Sequence, residues 1–244
     1  MPGFILHLTA ARMFLDAFPM KDERDVDFFM TGAFLPDVSS DKFHSHFRDP
    51  ALTDRMVEIP DLERFLASYK DKLDDPLIFG YYFHLYVDRR FFLEYLPKIV
   101  TYMDSTHTIT PVKAEVTLAR IQKSGKILPL SKFLSDEYYY GDYTRMNTYL
   151  IERYHLPSNY HIDFPDPKIP GVDYEGIPSF IEMMKGYLTV PLEDAFSLQV
   201  FDLEDILSFL QTISTENSLF PDNLRQCKFC PDSLQSQFHC RQRR

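Results

Sequence analysis

Apolar positions recur along this chain mostly at helical spacing. The Thr9–Phe18 stretch is amphipathic and stops at Pro19, and Asp25–Leu35 is apolar and stops at Pro36. Pro60-Asp61 opens a helix to about Lys72, because proline is tolerated in a first helical turn. Leu77–Tyr95 reads as a long, aromatic helix ending near Pro97. Pro111 opens another helix to about Lys123, closed by Gly125. Asp142–Tyr154, Phe180–Leu188 and Leu203–Ile213 complete a set of about eight. Period-2 alternation is rare, so the pattern predicts an all-α fold, a single multi-helix bundle. The Leu77–Tyr95 helix is nearly apolar on every side and belongs inside that bundle. Leu156–Pro178, with five prolines after Leu156 and two glycines, predicts an irregular connection. Residues 1–220 form the expected domain. After Phe220 the chain turns polar, carries every cysteine and ends Arg-Gln-Arg-Arg, and residues 221–244 are expected to be an appendix.

Composition narrows the function classes. The 244 residues hold 36 acids and 26 bases, a formal charge of −10, with 45% hydrophobic residues and no tryptophan. An acidic surface argues against a general nucleic-acid binder or a polybasic membrane-surface protein. It leaves room for one local cationic site, since a bound metal adds charge that a residue count omits. No window has the roughly 18 apolar residues of a membrane span. The N-terminal stretch lacks the pattern of a signal peptide. Cys227, Cys230 and Cys240 all lie in the tail, which excludes a disulfide framework for the body and makes a reducing, cytoplasmic setting the expectation. Cys227-x-x-Cys230 and His239-Cys240 could supply four zinc ligands, but their spacing fits no common finger, and free thiols on a disordered tail are expected.

The informative residues are polar groups inside apolar segments. His84 and Asp88 are four apart and share one face of the buried helix, a preformed pair of metal ligands or a hydrogen-bonded pair between helices. Gly80 lies one turn earlier on that face. A helical glycine costs about 1 kcal/mol against alanine, so something is expected to approach the backbone there. Asp37 follows an apolar helix end. His44 and His46 follow shortly, with His46 the preferred ligand, and His7 sits in the apolar run Phe4-Ile5-Leu6-His7-Leu8. Imidazoles and carboxylates suit a divalent ion, zinc first, with iron or manganese as alternatives. Without cysteine or methionine in the set, hydrolytic chemistry is expected over electron transfer.

The order His7 … Gly32-x-x-x-Pro36-Asp37 … Lys42-x-x-x-His46-Phe47 … Gly80-Tyr81-Tyr82-x-His84-Leu85-x-x-Asp88 resembles the bacterial zinc-dependent phospholipase C family, in its cytoplasmic hydrolase branch. The resemblance covers about the first 155 residues, including Gly141-Asp142-Tyr143-x-x-x-Asn147. It implies an all-α bundle of the phospholipase C and single-strand nuclease type. It also implies metal ligation by His7, Asp37, His46, His84 and Asp88, with Asp88 bridging two ions and Asp37 acting on the attacking water. Secreted members add an N-terminal tryptophan ligand and a later His-His-Glu cluster, both missing here, so a one- or two-metal site is expected. Asp142 is an additional ligand or a helix N-cap. Lys42, Arg48, Arg89 and Arg145 are phosphate-binding residues or solvated surface charges. Tyr81, Tyr82, Tyr86 and Tyr138–Tyr140 line a pocket or pack in the core.

The expected activity is metal-dependent hydrolysis of a small phosphoester, with a metal-activated water attacking phosphorus. The alternatives are a His-Asp-type nucleotide phosphohydrolase and a non-catalytic helical binding protein with a buried His-Asp network. The expected partner is a small phosphoester substrate, with no general nucleic-acid binding and no membrane span.

Overall fold

The structure, a computed structural model, describes residues 3–160, 162–186, 190–216, 219 and 229. Helix α1 (Phe4–Ala17) starts five residues before the amphipathic stretch, because the apolar run from Phe4 extends it. It packs on α2 (Glu23–Phe34), which passes into a 3₁₀ turn at Leu35–Asp37, where Pro36 lacks an amide hydrogen for a further α-turn. A short helix, α3 (Lys42–Ser45), follows. Then come α4 (Leu62–Tyr69), capped by Asp61, and the central helix α5 (Pro76–Arg90), capped by Asp75. Every residue of α5 from Pro76 to Asp88 is buried, as its apolar circumference requires.

The axis of α5 continues through a π-helical turn, Phe91–Tyr95, into α6 (Leu96–Ile99). Pro97 explains the widening: in a regular α-helix its ring would collide with the Leu93 carbonyl, four residues back.

The fold is not all-α, and that expectation is corrected. Three antiparallel strands follow α6: β1 (Val100–Met103), β2 (Leu118–Ile121) and β3 (Ile127–Pro129), in the order β1-β2-β3. Val100 pairs with Ile121, and Arg120 with Ile127. The helix expected from Pro111 to about Lys123 is therefore absent. Val112, Val116 and Ala119 imitate helical spacing, but the segment is rich in β-branched residues, which fit a pleated surface better. Gly125, with φ +69°, turns the β2–β3 hairpin instead of ending a helix. The backbone of the insert docks on an earlier loop, with Met56 N–H donating to Pro111 O (2.8 Å) and Lys113 N–H to Asp54 O (2.8 Å).

The chain then forms α7 (Leu130–Phe133), α8 (Tyr139–Arg153), α9 (Ile177–Lys185) and α10 (Leu203–Thr215). The connection between α8 and α9 is irregular, as expected, and α10 packs back on α1. Cys227, Cys230, His239 and Cys240 lie outside the described residues, as does Leu188. Phe229, from the segment expected to be an appendix, stacks on Phe79 of α5 at 5.0 Å. Among the described residues no helix is long and apolar enough to cross a membrane.

The crossing of α2 and α5 positions everything that follows. A Cβ on Gly80 would lie 2.1 Å from the Phe29 carbonyl oxygen, and one on Gly32 would lie 2.2 Å from the Leu77 carbonyl oxygen. The two backbones touch, so the group approaching Gly80 is the α2 main chain. Gly80→Ala is expected to destabilise the chain by about 2 kcal/mol or more, because backbone cannot yield as a side chain does. Urea unfolding midpoints of Gly80→Ala and Gly32→Ala check this, and unchanged midpoints would refute the contact.

Candidate metal centre

The glycine crossing brings the C-terminal end of α2 against the middle of α5. Ala33 O then accepts from His84 Nδ1 (2.8 Å), and the following 3₁₀ turn carries Asp37 over the same spot. Ser45, at the end of α3, donates its hydroxyl to Pro36 O (2.9 Å). With its proton so used, Ser45 Oγ accepts from His46 Nδ1 (3.0 Å). Each neutral ring is thereby fixed with its proton on Nδ1 and its lone pair on Nε2.

Five expected ligands converge. His46 Nε2 and His84 Nε2 stand 3.3 Å apart. His7 stacks on His84, with ring centres 3.6 Å apart, and its Nε2 is 3.2 Å from Asp88 Oδ1. Asp88 Oδ2 is 3.8 Å from both His46 Nε2 and His84 Nε2, and Asp37 Oδ1 is 3.5 Å from His46 Nε2. Donors bound at about 2.1 Å in a tetrahedron lie about 3.4 Å from one another, so these spacings suit a shared ion. The five divide into two overlapping groups, His7–Asp37–His84 and His46–His84–Asp88. Within each, the ligand atoms lie within 4.8 Å of one another.

The cluster is closed in. His7, His84 and Asp88 are fully buried and His46 is 1% exposed, while the Asp37 side chain is 9% exposed. Both ring nitrogens of His7, both carboxylate oxygens of Asp88 and Asp37 Oδ2 have no aligned hydrogen-bond partner. Buried polar atoms in native structures are nearly always paired, and unpaired ones are costly. A cation among them would satisfy the three carboxylate oxygens and one ring nitrogen of His7.

The electrostatics agree in sign. Burial first, and His7 next, depress the His84 pKa to about 3, which leaves the ring neutral and ligand-ready. Burial pushes Asp88 up, but the closeness of His7, then of His84 and His46, outweighs it and holds the pKa near 2. Burial likewise raises Asp37, and His46, His84 and Lys42 together bring it well below the usual carboxylate range.

Other expected residues lie in different settings. Lys42 touches the cluster: its Nζ donates to Asp37 Oδ1 (2.7 Å) and to Asp37 O (2.9 Å). His44 is half-exposed and bonds to Asp41 (2.6 Å), so the structure brings His46 into the cluster in preference to its rival. Arg48 pairs with Glu58, and Arg89 donates to Pro60 O (3.0 Å).

Asp142 is neither a helix N-cap nor a member of the cluster. It lies in the first turn of α8 and is fully buried, and it accepts from Arg145 Nη1 (2.8 Å) and from the backbone amides of Gln199, Val200 and Phe201 (2.7–3.1 Å). Its oxygens are committed to joining α8 to the approach of α10, which corrects its reading as an additional ligand. Tyr81, Tyr82 and Tyr139 are buried core residues, while Tyr140 is half-exposed. Sequence reasoning overlooked Ser45 as the residue that orients His46. Its signal was a hydroxyl between two histidines, His44-Ser45-His46. Compared with protein-family models, curated proteins and solved structures, the chain has no match.

Two expectations follow. Unfolded chain takes a proton on His84 below about 6.5, whereas the folded chain does so only near 3, and Asp88 behaves in the same sense between 3.8 and about 2. The unfolded state thus binds more protons throughout this window, so these groups make the metal-free chain lose stability as pH falls from 6.5 toward 3. Melting temperatures of chelator-treated protein from pH 7.5 to 4 should fall, and His84→Gln should flatten the slope; equal slopes in both proteins would contradict the assignment. Separately, Asp142→Asn should cost about 2–4 kcal/mol of stability, since four donors lose a charged acceptor. Its metal content, measured by elemental analysis of folded protein, should match that of the unaltered chain.

Proposed function

We infer that this chain is a metal-dependent phosphoester hydrolase whose centre is the His7–Asp37–His46–His84–Asp88 cluster. One observation carries the reading. His46 and His84 face each other through Nε2 atoms 3.3 Å apart, while each Nδ1 has an acceptor of its own. In the tautomers those Nδ1 bonds select, two imidazole lone pairs face each other at that separation with no proton between them. A divalent ion turns the repulsion into ligation.

The donor set favours zinc, with iron or manganese as alternatives: three imidazoles and two carboxylates, in two groups that share His84. When bound, such an ion lowers the pKa of water and polarises a phosphoryl oxygen. The residues supply the rest. Asp88, between the histidines, has one oxygen toward His7 and the other toward His46 and His84, so it could contribute a ligand atom on either side. Asp37 is the most exposed of the five, and its free Oδ2 suits a proton acceptor for the attacking water. Lys42, one-third exposed and bonded to Asp37, can neutralise charge on an incoming phosphate. The choice of phosphoester over other esters rests on this lysine and on the likeness of the His/Asp order to the zinc-dependent phospholipase C pattern.

Protein purified without a tag or chelator, or reconstituted with zinc, should carry at least one equivalent of metal and cleave an aryl phosphodiester. Asp88→Asn should lose both properties. Asp37→Asn should retain at least half of the metal and lower kcat about 100-fold or more, the usual scale for a general base. Metal below about a tenth of an equivalent after reconstitution, or full activity in Asp88→Asn, would overturn the reading.

A further inference from the structure

Tyr102 of β1 and Lys113 of the β1–β2 connection form one wall of a cavity of about 190 Å³, whose other walls come from the 48–58 loop, the π-helical turn and the start of α8. Three wall residues tie it to the metal centre. Arg48 is two residues beyond His46, and Phe92 is one helical turn beyond Asp88. Tyr139 lies near enough to Asp88 for the carboxylate's charge to act on its phenol.

The lining has two chemical halves. In one, Glu58 accepts from Arg48 and from Lys113 Nζ (3.1 Å). Burial pushes the Glu58 carboxyl up, but Lys113 and Arg48 outweigh it, so Glu58 stays ionised and the triad carries a net charge of about +1. The Glu58 side chain is 13% exposed while that of Lys113 is 60% exposed, which leaves a cation at the mouth. In the other half stand Phe92, Tyr102 and Tyr139, the two phenols held neutral by burial. A cationic patch facing aromatic walls suits a flat group that bears a negative substituent.

We propose that this cavity binds the organic part of the phosphoester and selects a compact, ring-bearing group with a second negative charge. The proposal rests on the hydrolase reading of the adjoining centre. If the triad serves only to fasten the strands to the loop, its charge has no bearing on substrate choice.

The test compares kcat/KM for three aryl phosphodiesters, methyl phenyl phosphate, methyl 4-carboxyphenyl phosphate and methyl 4-(aminomethyl)phenyl phosphate, on zinc-loaded full chain. The carboxylate-bearing substrate should be favoured over methyl phenyl phosphate by about fivefold, the scale of one half-exposed ion pair. Lys113→Glu should abolish or invert that preference, and Glu58→Gln should enlarge it. In parallel, saturation-transfer NMR on chelator-treated chain compares binding of benzoate and benzylammonium, with no metal or turnover involved. Ratios that stay within twofold in all three proteins overturn the proposal while leaving the hydrolase reading intact. If no phosphoester is cleaved, the hydrolase reading falls and the fragments decide: benzoate binding that Lys113→Glu weakens at least twofold supports the pocket's ligand class, and benzoate binding that is absent or unaffected overturns it.

Discussion

The contact between the α2 and α5 backbones at Gly32 and Gly80 is the constraint from which the rest of the molecule follows. Helices with ordinary side chains at their contact stand about 8–10 Å apart. Two glycines let these main chains meet, and a Cβ on either would fall about 2 Å from a carbonyl oxygen. Only at that range can the Ala33 carbonyl, on one helix, orient the His84 ring on the other. The same approach sets the 3₁₀ turn of Pro36 and Asp37 above His84 and lets Ser45 reach Pro36. Packing and ligand orientation are thus one geometric fact here: widening the crossing would release the tautomer as well as the core.

Two buried aspartates show how differently one side chain is used. Asp142 is surrounded by donors, three backbone amides and a guanidinium, and works as a rivet between α8 and the segment before α10. Asp88 is as deeply buried and has no aligned donor at all, only imidazole nitrogens at 3.2–3.8 Å. A carboxylate left so is costly in a purely structural network, where donors would be aligned to it. Stability therefore accounts for Asp142 and not for Asp88.

The residues of the cluster were more legible in the chain than its architecture. His84 and Asp88 were visible because polar residues four apart interrupt a helix that is apolar all round. His7 and Asp37 were visible because each adjoins an apolar run. His46 was preferred to His44 for its place before Phe47 in the resembled pattern, and in three dimensions it enters the core while His44 meets Asp41 at the surface. The strands were hidden because β2 is four residues long and its neighbours happen to repeat at helical spacing. Asp142 was misread because its partners, residues 199–201, lie almost sixty positions away, beyond any local pattern. The Glu58 triad was invisible for the same reason: Lys113 meets Glu58 through pairing of the insert with residues 54–56.

Enclosure has a kinetic side. Three of the five side chains in the cluster have no solvent contact, and the most exposed of the five is Asp37, paired with Lys42. Asp37 lies in the 3₁₀ turn Leu35–Asp37, which Ser45 fastens through the Pro36 carbonyl. Were an ion held among these side chains, its exchange would require local opening, and the rate at which a chelator stripped it would report that opening, not equilibrium affinity. A tightly enclosed centre can thus keep its ion through long purification while binding it no more strongly than an open one.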